Sequence, residues 1–192
     1  MRDRARFLAA FVKRPFDTGS ITPSSIHLAR AMVAGMDLDT ADTVVELGPG
    51  TGVFTKLIEA QIKPGACCLC FEINGAMAKD LSRHFPRVHV VNDSVEHIDR
   101  YLKEAGRTTV DAAISGLPWA AFAPEHQRRL LDATVGALRP GGRFATFAYT
   151  HAARMPRARK FRDLLESRFT TVTTSSIVWR NVPPAFVYRC QK

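Results

Sequence analysis

Residues 44–52 read Val-Val-Glu-Leu-Gly-Pro-Gly-Thr-Gly, and the rest of the chain is arranged around them. Two β-branched residues lead into Glu46, glycines follow at positions 48, 50 and 52, and residues 53–60 have a helical pattern. We therefore predict a strand, a tight turn and a helix N-terminus, where a ligand can lie directly on backbone N–H groups because glycine has no Cβ. A dinucleotide fingerprint needs its last glycine where Val53 stands, and an acidic residue before the turn suits a positively charged ligand.

The chain has 192 residues, enough for one α/β domain but not for a large second one. Its longest run without Asp, Glu, Lys or Arg is residues 112–124, whereas a transmembrane helix needs ~20 mostly apolar residues. Residues 7–12 are too few for the apolar core of a signal peptide. We expect a cytoplasmic protein with one domain over residues 1–192, comprising N-terminal helices in 1–36 and a catalytic core in 37–192.

Three of the four cysteines lie close together, and Cys67 and Cys70 form a C-x-x-C pattern that is also found in metal and redox sites. Residues 66–71, however, have the composition of a buried strand. Residues three apart on a strand point to opposite faces, so this pair cannot share a ligand there. We expect reduced structural thiols and no metal.

The net charge of +9 is concentrated in two segments. Residues 1–35 hold six basic and two acidic residues, and residues 151–168 hold the same numbers. All other residues together contribute only one net positive charge. Two separate basic patches indicate an anionic partner.

Residues 2–14 fit an amphipathic helix, with Phe7 and Phe11 four positions apart on one face. The basic residues that flank this face include Arg4, Lys13 and Arg14. Such a helix either covers its own domain or lies on an anionic membrane surface. The following loop, residues 18–25, ends in Ser24 and Ser25 and begins a helix over 26–36, so it either caps that helix or also borders a binding site.

A second acidic residue, Glu72, lies 20 positions after Gly52 and ends the predicted strand 66–71. At that distance a carboxylate can accept hydrogen bonds from both ribose hydroxyls of an adenosine-containing ligand. A helix over 75–85 and a strand over 88–91 follow. Asp93 and Ser94 come next, at the start of a helix over 95–105 that Asp93 can cap.

The fourth predicted strand, residues 110–114, ends in Ser115-Gly116-Leu117-Pro118-Trp119. A helix over 124–138 and a fifth strand over 143–149 follow, so Tyr149 and His151 lie at a carboxyl strand end, where open α/β sheets bind ligands. A basic helix beginning at Pro156 and two alternating segments, 169–178 and 185–190, complete the chain. The fold class is therefore α/β, with a seven-stranded, mostly parallel sheet and an antiparallel C-terminal hairpin.

These motifs in this order resemble the class I S-adenosylmethionine-dependent methyltransferases, which have a Rossmann-like three-layer sandwich. More narrowly, the runs at residues 11–25, 46–55, 115–119 and 141–149 are similar to the peripheral bacterial phospholipid N-methyltransferases, which methylate phosphatidylethanolamine towards phosphatidylcholine. Amino-methylating relatives commonly carry Asn and Tyr where Ser115 and Trp119 stand here.

The resemblance implies roles for individual residues. The S-adenosylmethionine contacts would be Glu46, Gly48, Gly50, Gly52, Glu72, Ile73, Asp93, Ser94, Ser115 and Gly116, with Asp93 at the adenine amine. By position, Tyr149 and His151 would handle the proton or headgroup, and Trp119 would lie beside the accepting nitrogen. The substrate and membrane contacts would be Arg4, Phe7, Phe11, Lys13, Arg14, Ser24, Ser25, Leu117 and Arg154.

The expected protein is a monomeric enzyme on the inner face of the cytoplasmic membrane, with an anionic membrane surface and a phospholipid as partners. Three alternatives stay open: adenine dimethylation in ribosomal RNA, methylation of a small-molecule amine, and a cofactor-binding membrane protein without activity. The RNA enzymes share the Glu-Leu-Gly-Pro-Gly-x-Gly motif, but they have Asn at the position of Ser115 and a further helical domain.

Overall fold

A computed structural model describes residues 24–192, which form one seven-stranded sheet with helices on both faces. The strands are β1 (Thr43–Leu47), β2 (Cys67–Phe71), β3 (His89–Val91), β4 (Val110–Ser115), β5 (Leu138–Tyr149), β6 (Thr171–Thr174) and β7 (Ala185–Gln191). The α-helices are α1 (Ile26–Val33), α2 (Val53–Gln61), α3 (Gly75–His84), α4 (Ile98–Glu104), α5 (Pro124–Ala137) and α6 (Pro156–Glu166). Residues Val95–His97 and Trp119–Ala121 form 3₁₀ turns.

The strand order across the sheet is β3-β2-β1-β4-β5-β7-β6. Every neighbouring pair from β3 to β5 is parallel, whereas β7 runs antiparallel to both β5 and β6. The chain direction across the sheet reverses between β1 and β4, which is the position where open α/β sheets form a ligand crevice at their carboxyl ends. The predicted fold class is confirmed. The predicted helix over residues 2–14 lies outside the described residues.

Side chains of β1 alternate between two hydrophobic cores, as the two-residue period of a strand requires. Val45 and Leu47 belong to the core under α4, α5 and α6, while Val44 belongs to the core under α1 and α2. The same alternation separates Cys67 from Cys70, and all four cysteines are free thiols. The opposite-face prediction for this pair is therefore confirmed.

Several element boundaries differ from the sequence prediction. Helix α1 ends at Val33 rather than residue 36, because Ala34 is extended and Gly35 is left-handed (φ +73°). Strand β5 begins at Leu138, which pairs with Val110 ahead of a register shift, rather than at residue 143. The predicted strand over 169–178 is reduced to Thr171–Thr174 and a single bridge between Val178 and Ala185.

Candidate active site

The glycine turn connects β1 to α2 and lies against the end of β2. The amide of Gly48 donates to the carbonyl of Phe71 (2.9 Å), and the amide of Gly50 donates to a carboxylate oxygen of Glu72 (3.3 Å). Gly52 has φ +81° and is the residue directly before α2. The turn therefore contacts the carboxyl ends of both β1 and β2, where the sequence predicts residues that bind the cofactor.

The three glycines of the turn have different surroundings. A Cβ on Gly48 would lie 2.6 Å from Leu117 Cδ2, and a Cβ on Gly52 would lie 2.5 Å from Phe85 Cε2, so both face protein. A Cβ on Gly50 would meet only the end of Met77, at 4.0 Å. The backbone of Gly50 is thus the part of the turn that is open to a ligand.

Glu46 is fully buried at the end of β1, and its Oε1 atom has no hydrogen-bond partner among the described residues. Its other oxygen accepts a hydrogen bond from the thiol of Cys70 (3.4 Å). Burial raises the pKa of Glu46 to about 7, a rise that the neighbouring Thr55 hydroxyl and Cys70 thiol partly offset. An unpaired buried carboxylate oxygen is costly unless a donor reaches it, so this atom fits the cationic end of a ligand.

Glu72 and Ile73 follow β2 at the same edge of the sheet. Glu72 accepts from the amides of Gly50 and Asn74 (2.8 Å) through different carboxylate oxygens, and burial raises its pKa. Ile73, by contrast, is one of the few large apolar side chains left partly exposed. A carboxylate beside an apolar surface suits a ribose with an adenine ring next to it.

Asp93 is the centre of a hydrogen-bond network that the sequence did not reveal. Its Oδ1 accepts from the amide of Ser94 (2.7 Å) and contacts Nδ1 of His97 (3.0 Å), and its Oδ2 accepts from the hydroxyl of Tyr101 (3.0 Å). Partial burial by itself would raise the pKa of Asp93, but these hydrogen bonds hold it below its usual value. Oδ2 retains room for a second donor, so the network orients the carboxylate without occupying it fully.

Ser115 and Trp119 were both predicted as site residues, and in this structure both side chains lie in the interior of the protein. Ser115 is fully buried, and its Oγ accepts from Nε1 of Trp119 (3.0 Å) and from the amide of Leu117 (3.3 Å). The indole of Trp119 is 3% exposed and stacks on Phe161 of α6, with ring centroids 4.7 Å apart.

Gly116 and Leu117, which lie between Ser115 and Trp119, contact the glycine turn. The amide of Gly116 donates to the carbonyl of Leu47 (2.8 Å), and a Cβ on Gly116 would lie 2.6 Å from the carbonyl oxygen of Gly48. Only glycine allows this approach. The side chain of Leu117 packs against Gly48 and therefore contacts the glycine turn directly.

Tyr149 and His151 lie together at the end of β5. Their rings are parallel within 16°, with centroids 5.8 Å apart, and burial raises the pKa of the Tyr149 phenol. A line of ring contacts connects them to the glycine turn: Tyr149 meets Phe147, and Phe147 meets Phe54 at the start of α2. Phe54 and Phe147 were not predicted as site residues, because apolar aromatics in a helix and a strand have the ordinary pattern of a core.

The helix that precedes β1 also begins at this edge. Ser25 caps α1, since its Oγ accepts from the amide of Leu28 (3.2 Å), and its own amide donates to the buried side chain of Asn181 (2.9 Å). Ser24 is half-buried beside it and Arg154 is exposed after β5. The other predicted membrane contacts, Arg4, Phe7, Phe11, Lys13 and Arg14, lie outside the described residues.

The fold and these contacts define a class I S-adenosylmethionine-dependent methyltransferase. A model of the methyltransferase domain family matches residues 44–142, and the chain belongs to this family. Among curated proteins it is 32% identical to the ornithine lipid N-methyltransferase of Singulisphaera acidiphila, over 100% of this chain and 97% of that protein.

Two solved structures illustrate the likeness of fold. The 1,6-didemethyltoxoflavin N1-methyltransferase of Burkholderia thailandensis, bound to 1,6-didemethyltoxoflavin and S-adenosylhomocysteine, superposes with a TM-score of 0.71 and 20% identity, over 100% of this chain and 89% of that one. An O-methyltransferase of Thermotoga maritima gives a TM-score of 0.65 and 16% identity, over 95% and 71%. At these identities the structures establish the shared fold alone.

The chemistry of the described residues fits S-adenosylmethionine. The open backbone at Gly50 provides room for close approach, the free Oε1 of Glu46 provides an acceptor for a cation, and Glu72 provides acceptors for hydroxyls. Within residues 24–192, no group of three or more His, Cys, Asp or Glu side chains is arranged to hold a metal ion. Within the same residues, no helix is both long and apolar enough to cross a membrane.

Proposed function

We propose that this methyltransferase acts on the amine of a membrane lipid, namely phosphatidylethanolamine and its methylated intermediates, at the inner face of the cytoplasmic membrane. The observation that carries the proposal is the position of residues 149–162. This segment starts at the carboxyl edge of the sheet with Tyr149 and His151 and continues with five basic and no acidic residues. The near full-length likeness to a lipid N-methyltransferase supports the same substrate class.

The cofactor would lie across the carboxyl ends of β1, β2 and β3. Its amino acid end would reach Glu46 and the glycine turn, Glu72 would accept the ribose hydroxyls, and Asp93 would accept the adenine amine beside Ile73. When bound, S-adenosylmethionine supplies an electrophilic methyl group on a sulfonium. The protein's own contribution is to hold this group in line with the acceptor, where orientation has its largest effect on rate.

The acceptor amine has to lose a proton before it can attack. An alkylammonium titrates near ~10.4, so the neutral amine costs roughly 4–5 kcal/mol at pH 7. With its pKa raised, the Tyr149 phenol is neutral at pH 7 and can accept a hydrogen bond from the amine while keeping its own proton. His151 is exposed next to it and would pass the amine proton to solvent.

Ornithine lipid is a second candidate acceptor, because the curated relative methylates it. Incubating the full chain with methyl-labelled S-adenosylmethionine and vesicles containing either lipid tests both candidates. We expect label in the lipid fraction, with one vesicle type preferred. Label found only in added ribosomal RNA, or only in a soluble amine, would overturn the lipid proposal.

The role of His151 has a separate test with a matched histidine. His151→Gln is expected to lower kcat for the lipid by about 10²-fold, the scale of general-base catalysis, with little change in cofactor affinity. His89→Gln is the control, because His89 is also exposed but lies at the start of β3, on the opposite edge of the sheet. Equal kcat values for the two variants would remove His151 from the mechanism.

A further inference from the structure

Five large apolar side chains are exposed around the carboxyl edge of the sheet, and together they form what we call the apolar rim. Its members are Ile26, Met155, Ile177, Trp179 and Val182, with 39%, 55%, 40%, 72% and 70% of their surfaces exposed. The sixth exposed large apolar residue among those the structure describes is Ile73, which also follows a strand at this edge. Single exposed apolar residues are ordinary, but a group on one edge marks an interaction surface.

Hydrogen bonds join the three segments of the apolar rim. The amide of Ser25 donates to Oδ1 of Asn181 (2.9 Å), which ties the start of α1 to the β6–β7 connection. The amide and hydroxyl of Thr150 both donate to the carbonyl of Pro184 (3.0 and 3.2 Å), which ties the same connection to the end of β5. The rim is therefore one surface next to Tyr149 and His151.

Trp179 is at the tip of this surface because the backbone holds it there. The amide of Asn181 donates to the carbonyl of Val178 (3.2 Å), which makes Trp179 and Arg180 the two central residues of a turn. The amide of Val178 in turn donates to the carbonyl of Ala185 (2.7 Å), and the side chain of Asn181 is 2% exposed. A fixed turn thus presents an indole and a guanidinium side by side to solvent.

The charges around the rim select its partner. Residues 24–30, 149–162 and 175–184 contain seven Lys or Arg residues and no Asp or Glu. A second copy of the chain would bring like charges together, whereas an anionic bilayer is complementary to them. Nucleic acid could stack on Trp179 and pair with the arginines, but it has no apolar surface that would bury Ile26, Ile177 and Val182. Trp is also the residue that membrane interfaces favour, since its ring is apolar and its N–H is polar.

We infer that the β6–β7 turn, with Trp179 and Arg180 at its tip, inserts into the interfacial region of an anionic phospholipid bilayer and seats the active-site edge on it. The choice of a bilayer rests on the proposed function. The inference goes further in assigning membrane contact to a C-terminal turn, in addition to the basic segments of residues 1–35 and 151–168.

Tryptophan fluorescence tests this assignment directly, because the chain has two tryptophans and Trp119 is in the core. Adding phosphatidylglycerol vesicles to the full chain should shift the emission to shorter wavelength, and lipids carrying a spin-label quencher near the headgroup should quench it. Both effects should disappear in Trp179→Ser. An unchanged wild-type spectrum in the presence of vesicles that co-sediment with the protein would overturn the inference.

Binding and activity assays separate this inference from the proposed function. Trp179→Ser should weaken vesicle binding by about tenfold, and Arg180→Gln by about fivefold. Arg83→Gln, an exposed arginine in the last turn of α3 on the opposite edge, is the matched control and should bind as wild type. Methylation of a short-chain, monomeric aminolipid should stay within twofold of wild type in all three variants.

Each remaining outcome is decisive. If no lipid is methylated by wild-type protein but Trp179→Ser still loses vesicle binding, the membrane inference stands and the proposed function fails. If lipid methylation proceeds and Trp179→Ser binds vesicles normally, the inference fails alone. Loss of monomeric-substrate activity in Trp179→Ser, or binding of the rim to RNA in preference to vesicles, also contradicts it.

Discussion

Gly50 differs from its neighbours because its backbone faces open space. An alanine there has to adopt φ near +58°, which costs about 1–2 kcal/mol, and its Cβ projects into the proposed cofactor space. We expect Gly50→Ala to lower the affinity for S-adenosylhomocysteine at least about tenfold, measured by titration calorimetry. The expected cause is that the added methyl group keeps the cofactor away from the Gly50 backbone. The rest of the fold has little need to move, because the Cβ position faces open space.

Gly106→Ala is the control for that experiment, because Gly106 has φ +66° and nothing within 4 Å of its missing Cβ. The two variants share the backbone strain, so similar losses of stability are expected in both. If Gly106→Ala weakened cofactor binding as much as Gly50→Ala, the effect would come from reduced stability. The specific role of the Gly50 surface would then be wrong.

Glu46 is expected to make the stability of the cofactor-free protein depend on pH. Its pKa is about 7 in the folded protein and 4.5 in the reference state, so the folded protein binds this proton more tightly than the unfolded chain. The protonated carboxyl therefore favours folding below pH 4.5, and this contribution is lost as the pH rises to about 7. A shift of this size corresponds to about 3 kcal/mol.

Glu46→Gln is expected to remove this dependence. Urea unfolding at pH 5 and pH 8 should show the variant gaining up to about 3 kcal/mol relative to wild type at the higher pH. Glu125→Gln, an exposed glutamate in the first turn of α5, should leave the wild-type pH profile unchanged. A Glu46→Gln difference that is the same at both pH values would show that burial does not perturb this carboxyl.

At the residue scale, spacing predicted positions but not side-chain directions. Glu46, Glu72 and Asp93 were predicted as cofactor contacts because each lies within two residues of the carboxyl end of a strand, and parallel strands bring these ends together. The direction of the Trp119 side chain was not predictable, because an aromatic after proline in the loop after the fourth strand has the same pattern whether it faces a ligand or the core. The difference depends on Phe161, which is 42 positions away in the sequence and stacks on it.

The loop after β4 is fastened to the basic helix α6 by the contact between Trp119 and Phe161. Ser115→Ala would leave Nε1 of Trp119 and the amide of Leu117 without their acceptor, at a cost of about 1–3 kcal/mol. We expect the double variant Ser115→Ala with Trp119→Phe to recover part of this loss, since phenylalanine has no donor to satisfy. Chemical denaturation of the two single variants and the double variant measures the coupling.

Thr134→Val serves as the comparison, because it removes an equally buried hydroxyl that bonds only to the carbonyl of Leu130 within α5. It should destabilise the protein less than Ser115→Ala. Strictly additive losses for Ser115→Ala and Trp119→Phe would show that the two residues act independently. A fall in kcat of more than about 10²-fold in Trp119→Phe, with the fold intact, would support the predicted role of Trp119 beside the amine.

At the element scale, the central strands were predictable and the connections were not. Strand β1 forms where a strand was predicted ahead of the glycine turn, because residues 43–47 are apolar or β-branched apart from Glu46. The first part of the β6–β7 connection, residues 175–178, was expected to continue the strand. Ser175 interrupts it, since its hydroxyl accepts from the amide of Val187 (3.0 Å), and the chain then turns at Trp179. That turn depends on Asn181 reaching Ser25, which no local pattern encodes.

In the molecule as a whole, the parallel sheet places residues with different proposed roles at the same carboxyl edge. The carboxyl ends of β1 to β3 carry the proposed cofactor contacts, the end of β5 carries Tyr149 and His151, and the β6–β7 turn carries Trp179. Under the proposed function, a molecule docked by this edge would let a lipid amine reach the methyl group without leaving the bilayer. The opposite edge, with the loops at residues 35–42 and 105–109, would then face the cytoplasm.

Hydrogen exchange on vesicles tests this orientation. In the full chain bound to phosphatidylglycerol vesicles, amides in residues 150–160 and 176–182 should exchange more slowly than in the free protein, because the bilayer excludes water from them. Amides in residues 35–42 and 105–109 should exchange at unchanged rates and serve as the internal control. Added S-adenosylhomocysteine should slow exchange at residues 48–52 whether or not vesicles are present, so cofactor protection and membrane protection can be told apart. Slower exchange at the opposite edge on vesicles would mean that the molecule binds the other way round, with its active site turned away from the lipid.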